Sequence, residues 1–102
     1  MESSAFSPSD LPSDRLPPPA KHRILVIDDE ADIRESLELL LTGEGYLVEL
    51  AENATTGLQK YENGQYDLLL LDLMMPDRSG MDVLADIRQK DTETPIFMLT
   101  AY

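Results

Sequence analysis

Arg23-Ile-Leu-Val-Ile-Asp-Asp29 and Asp67-Leu-Leu-Leu-Leu-Asp72 are two short apolar runs that each stop at a carboxylate. Burial favours such runs, but an unpaired carboxylate in a core costs several kcal/mol. Each strand therefore ends where its carboxylate reaches water or a cation. In a parallel α/β sheet the C-terminal ends of the strands lie along one edge, and ligands bind there. Asp28, Asp29 and Asp72 meeting at that edge would repel one another. A hard divalent cation with oxygen ligands, such as Mg²⁺, relieves that repulsion, and phosphate is a plausible ligand beside it.

The rest of the chain supports a sheet of this kind. Ile33, Leu37, Leu40 and Leu41 fall at helical spacing, which predicts a helix over 31–42 with Asp29 or Glu30 at its N-terminal end. Gly43 and Gly45 stop it. Residues 46–51 alternate as a second strand. Asn53 suits the N-cap of a second helix with Ala54, Leu58 and Tyr61 on its apolar stripe, ended by Asn63-Gly64. Strand 3 covers 67–71, and a loop to Gly80 leads into a third helix that buries Val83, Leu84 and Ile87. Thr94-Pro95 breaks the chain before strand 4, Ile96-Phe-Met-Leu99. This βαβαβαβ order predicts a doubly wound parallel sheet with right-handed crossovers and helices on both faces. Strands 1, 3 and 4 read as continuous apolar runs, as strands covered on both sides do.

Residues 1–20 differ, holding five of the seven prolines and five serines. Such a segment buries too little apolar surface to offset its ordering entropy and is expected to be a disordered tail; the folded domain covers 21–102. The 102 residues suffice for one small domain, and 42% hydrophobic content supports a core. With no cysteine, disulfides and thiolate metal sites are excluded. The net charge of −12 argues against a nucleic-acid surface. Neither a signal peptide nor an apolar run long enough to span a membrane is present, so the chain is expected to be cytoplasmic.

Taken singly, the acidic residues are ambiguous: Asp28-Asp29 before a helix can simply favour its dipole. On two strands that adjoin at a switch point they form a constellation. In Asp72-Leu-Met-Met-Pro-Asp-Arg-Ser-Gly80, Pro76 keeps Met75 extended and Gly80 permits a close approach, so the loop can aim the Met74 carbonyl toward a metal. Thr100 follows strand 4 directly, and its hydroxyl would emerge at the same edge. His22, and Tyr46, Tyr61 and Tyr66, read as a solvated residue and packing residues respectively.

Together, Ile-Leu-Val-Ile-Asp-Asp-Glu30, the stretch from Asp67 to Gly80, and Pro-Ile-Phe-Met-Leu-Thr-Ala101 resemble the receiver domain of bacterial two-component response regulators, and the ending Leu-Thr-Ala-Tyr102 is similar to receivers of the nitrogen-regulator type. The resemblance implies a flavodoxin-like receiver fold with strand order 2-1-3-4. It implies that Asp72 is the phosphoacceptor, that Asp29 and Asp72 ligate Mg²⁺ with Asp28 acting through water, that Met74 gives a backbone carbonyl, and that Thr100 contacts the phosphoryl group. The implied partner is a sensor histidine kinase or phosphotransfer protein, with neither nucleic acid nor membrane bound by this chain. A receiver of this family continues through a fourth helix, a fifth strand bearing a Lys, and a fifth helix; the fifth strand is absent here, and Lys21, Lys60 and Lys90 do not match that Lys. The chain is therefore expected to be a C-terminally truncated fragment of a longer regulator, with marginal stability and weak phosphorylation. Two rivals stand beside this reading: a Mg²⁺-dependent phosphohydrolase with an Asp nucleophile, and a non-phosphorylated kinase-binding module. The first normally carries Asp-x-Asp after strand 1, whereas Asp28 and Asp29 are adjacent.

Overall fold

The computed structural model describes residues 21–99. The 1–20 segment and Thr100 lie outside the described residues. Seven elements follow one another: β1 (Arg23–Ile27), α1 (Ala31–Gly43), β2 (Leu47–Ala51), α2 (Ala54–Asn63), β3 (Leu68–Asp72), α3 (Gly80–Arg88) and β4 (Ile96–Leu99). The strands form one sheet in the order β2-β1-β3-β4, every pair parallel. Ile27 sits opposite Ala51 on one side and Leu71 on the other, so β1 and β3 run side by side to a common end. Among the described residues no helix is long and apolar enough to cross a membrane.

Strand alternation divides the core in two. Leu25, Ile27, Leu69 and Leu71 point to one face, where they are closed over by Ala54 and Leu58 of α2 and by Val83 and Ile87 of α3. Ile24, Val26 and Leu70 point to the other, against Leu37 and Leu41 of α1. Close packing of α2 has a local requirement: a Cβ on Gly57 would stand 2.6 Å from Ile27 Cδ1, so only glycine lets this helix reach the sheet.

The boundaries differ from the sequence reading in β2, β3 and α1, and in β3 both ends move by one residue, to Leu68 and Asp72. Strand β3 runs one residue further, through Asp72, because Asp72 pairs with Leu99 and the Leu73 N–H donates to the Leu99 carbonyl at 3.0 Å. Strand β2 starts at Leu47, not Tyr46, because the Tyr46 N–H returns to the Leu41 carbonyl (3.1 Å) across the turn at Gly45, whose φ of +98° favours glycine. Helix α1 extends to Gly43, and Leu40, expected on its apolar face, is 62% exposed. Leu40 lies on the flank of the Leu37–Leu41 line, beyond the sheet's reach. Neither Asp29 nor Glu30 caps α1 with its side chain. The cap residue is Glu30, whose own N–H donates to Asp28 Oδ1 at 2.8 Å.

Two expectations about packing are corrected. Strand β4 is not covered on both sides, since Phe97 is 59% exposed. Tyr61 and Tyr66 pack against the α2/α3 core as expected, and the Tyr61 hydroxyl donates to Asp91 Oδ2 at 2.5 Å. Tyr46 instead stands at the surface beside the exposed His22.

Candidate metal and phosphoryl site

The sheet register brings Asp28, Asp29 and Asp72 together. Each offers a carboxylate oxygen, and the three oxygens lie within 4.8 Å of one another. Their environments differ. Asp28 is buried, at 1% exposure, and its position is fixed three ways. Its N–H extends the β1–β2 ladder to the Ala51 carbonyl (3.0 Å), its carbonyl accepts from Arg34 Nη1 (2.8 Å), and its Oδ1 accepts from Glu30. Asp29, the next residue, turns outward and is exposed, whereas Asp72 is half-buried at the end of β3.

Asp72 Oδ1 accepts from the Met74 N–H at 3.2 Å, which orients the carboxylate. Its acidity is strongly perturbed. Burial, a hydrogen bond with the Asp29 carboxyl and the charges of Asp28 and Asp29 push it up to about 6, against the Met74 N–H, which pulls it down. Among the described residues no Lys or Arg forms an ion pair with these three carboxylates. Crowded, oxygen-only and without a side-chain counter-charge, the cluster fits a hard divalent cation. A cleft of about 350 Å³ opens beside it, with Asp28, Glu30, Asp72, Leu37 and Leu99 among its lining residues.

The loop after β3 is built for a close return. The Gly80 N–H donates to the Leu73 carbonyl at 2.7 Å, and Met74 bridges antiparallel to Ser79. A Cβ on Gly80 would overlap the Asp72 carbonyl oxygen. Ser79 then caps α3, its hydroxyl accepting from the Asp82 N–H at 3.2 Å. Met74 has its side chain in solvent, 72% exposed, so any contribution it makes to the site comes from its backbone. Thr100 lies outside the described residues; Leu99, which precedes it, is the partner of Asp72.

Two residues that matter here carry no role in the sequence reading. Arg34 supports the Asp28 backbone, and Asp77, at the loop tip, accepts hydrogen bonds from the start of α2. Asp77 lies 22 residues from its partner Thr55, and no local pattern reports such a contact.

A family model described as the response regulator receiver domain matches residues 24–102. The transcriptional regulatory protein DltR of Streptococcus agalactiae is 48% identical over 79 residues, covering 78% of this chain and 35% of that protein. The transcriptional regulatory protein ResD of Bacillus subtilis is 49% identical over 79 residues, 78% of this chain and 32% of its own length. The chain thus spans about a third of the curated relatives it matches. Among solved structures, the response regulator TrrA of Thermotoga maritima in complex with Mg²⁺-BeF superposes with a TM-score of 0.76 at 48% identity, covering 79% of this chain and 70% of that one. The same TrrA in complex with the histidine kinase ThkA gives 0.75 at 48% identity, with the same coverage.

Proposed function

We propose that Asp72 accepts a phosphoryl group in this protein, from the premise that the chain belongs to the response regulator receiver domain family. Receiver domains of response regulators are signalling modules of two-component systems, and this chain is one of them. The observation that carries the residue assignment is the convergence of Asp28, Asp29 and Asp72 within 4.8 Å at the shared end of β1 and β3.

In this reading one Asp72 carboxylate oxygen attacks phosphorus, the new O–P bond forming in line as the bond to the donor nitrogen of a phosphohistidine breaks. The imidazole leaves and takes up a proton, and Asp72 becomes an acyl phosphate. Asp29 and Asp72 would hold a divalent cation directly, Asp28 would do so through water, and the Met74 carbonyl would add a further oxygen. When bound, the cation neutralises charge on the transferred group. Magnesium is the proposed ion; the Mg²⁺-BeF complex of TrrA supports it. Met74 N–H keeps Asp72 aimed, and Thr100 contacts the phosphoryl oxygens. The donor is a sensor histidine kinase or phosphotransfer protein, supported by the ThkA–TrrA complex. The chain acts in the cytoplasm as a phosphate carrier rather than as an enzyme with a released product, and residues 1–20 are a tail dispensable for it.

The test is covalent labelling. Long incubation with a small acyl-phosphate donor and Mg²⁺ should slowly add a phosphoryl group, mapped to Asp72 by mass spectrometry, and Asp72→Asn should abolish it. Label that survives Asp72→Asn, or maps elsewhere, overturns the assignment.

A further inference from the structure

Asp77 makes the densest set of hydrogen bonds in the loop after β3, and all of them leave the loop. Its Oδ1 accepts from the Ala54 N–H at 3.1 Å. Its Oδ2 accepts from the Thr55 N–H at 3.0 Å and from the Thr55 hydroxyl at 2.9 Å. These donors hold its carboxyl low, at about 2.

Helix α2 does not lack a cap of its own. Asn53 Oδ1 already accepts from the Thr56 N–H at 2.8 Å. Water could also satisfy the exposed N–H of Thr55. What Asp77 adds is a tether between the start of α2 and a loop that is distant in sequence.

The loop is held at other points too. Its base is closed by the Leu73–Gly80 hydrogen bond and the Met74–Ser79 bridge. Met75 packs against the α2/α3 core. Arg78, next to Asp77, reaches the other way, to Asp86 Oδ2 at 2.8 Å and to the Asp82 carbonyl at 3.3 Å. Two adjacent residues thus fasten the loop tip between α2 and α3. The loop base carries Met74, whose N–H orients Asp72. A loop fixed in this way loses little further freedom when a ligand is received, which is how preorganisation raises affinity.

We propose that Asp77 is a positioning residue: by gripping the N-terminus of α2 it holds the β3–α3 loop, and with it Met74 and Asp72, in the geometry that receives the cation and the phosphoryl group. This rests on the reading of Asp28, Asp29 and Asp72 as the cation site.

The experiment measures the Mg²⁺ dissociation constant by NMR titration of the full chain, at a temperature where every variant is folded. It compares wild type with Asp77→Ala, Asn53→Ala and Asp29→Ala. Asp77→Ala should weaken Mg²⁺ binding about tenfold, as loss of a supporting residue around a metal site does, and slow acyl-phosphate labelling of Asp72 in parallel. The weakening should persist at high salt, where a through-space effect of the lost charge is screened. Asn53→Ala removes a cap from the same helix without touching the loop, so it should lower stability and leave Mg²⁺ affinity within about twofold of wild type. Unchanged affinity in Asp77→Ala, an effect that disappears in salt, or an equal loss in Asn53→Ala overturns the proposal. The Asp29→Ala arm separates the two readings. If it abolishes binding while Asp77→Ala does nothing, the positioning role alone fails; if it leaves binding intact, the cation site fails and the positioning role with it.

Discussion

The two faces of the sheet are built from the same strands and end in different states. On the α2/α3 face Leu25, Ile27, Leu69, Leu71 and Val83 are fully buried. On the α1 face only Ile24, Val26 and Leu70 are buried, flanked by half-buried Leu68 and Leu99 and by the exposed Phe97. Geometry explains the contrast. Four strands spaced about 4.8 Å apart make a surface wider than one helix of about 10 Å diameter can cover. Among the described residues, two helices close one face; on the other, α1 closes the half over β1 and β2 and leaves the half over β3 and β4 open. Two clefts lie on the open half, one of about 350 Å³ near Leu99 and one of about 490 Å³ near Leu68 and Phe97. The alternation that places Val26 and Leu70 on this face also places Asp28 and Asp72 toward it. The acidic site therefore opens onto the less covered side, where solvent and ions reach it.

The sharpest way to break this comparison is to truncate one large apolar side chain on each side, Leu71 on the closed face and Phe97 on the open one. Leu71→Ala, on the closed face, should cost about 2–5 kcal/mol, the range for a buried leucine whose cavity cannot collapse. Phe97→Ala should cost less than about 1 kcal/mol, since most of that ring already contacts water. Urea denaturation of both variants, at several protein concentrations, checks the difference. A large, concentration-dependent cost for Phe97→Ala would mean that a second copy covers the open half in solution.

A smaller effect is expected where the closed face meets the site. Gly80 starts α3, and its missing Cβ leaves room for the Asp72 carbonyl oxygen. Gly80→Ala should force the loop outward at a cost of about 1–3 kcal/mol, in the manner of overpacking. Because the loop carries Met74, Mg²⁺ affinity should fall with it. A variant with wild-type stability by denaturation and wild-type metal affinity would show that the loop yields freely.

Much of this was legible in the sequence, and the parts that were not share a cause. β1 and β3, the carboxylates that end them, and the Asn53 cap depend on residues within a few positions of one another, and periodicity reports those directly. Periodicity assigns a side chain to a face but does not count the helices on that face. Phe97 and Leu40 therefore read as core residues although no element among the described residues covers them. The extension of β3 to Asp72 comes from pairing with Leu99, 27 residues on, and the Asp77–Thr55 contact joins residues 22 apart. Roles fixed by such long contacts leave no mark in a local pattern.

The smallest expected effect concerns the acidic site itself, and its sign follows from the burial of Asp72 and the carboxylates crowded beside it. Burial, together with Asp28 and Asp29 beside it, pushes the Asp72 carboxyl from its ordinary 3.8 up to about 6. A carboxyl raised on folding is easier to protonate in the native state than in the unfolded one. Its ionisation therefore opposes folding, and this penalty is absent below about 4, grows as pH rises through the window up to about 6, and is complete above it. Asp72→Asn removes the ionisable group while keeping an oxygen to accept from Met74. At pH 7 without divalent metal, the variant should be more stable than wild type by about 1 kcal/mol once screening by water is allowed for. The advantage should vanish as pH falls toward 4. It should also shrink when Mg²⁺ is added at pH 7, because the cation stabilises the wild-type carboxylate cluster and has lost a ligand in the variant. Thermal melts of both proteins across pH, with and without Mg²⁺, measure this. An Asp72→Asn advantage that is independent of pH would show that Asp72 feels neither Asp28 nor Asp29, and would remove the electrostatic reason for a cation at the open edge of the sheet.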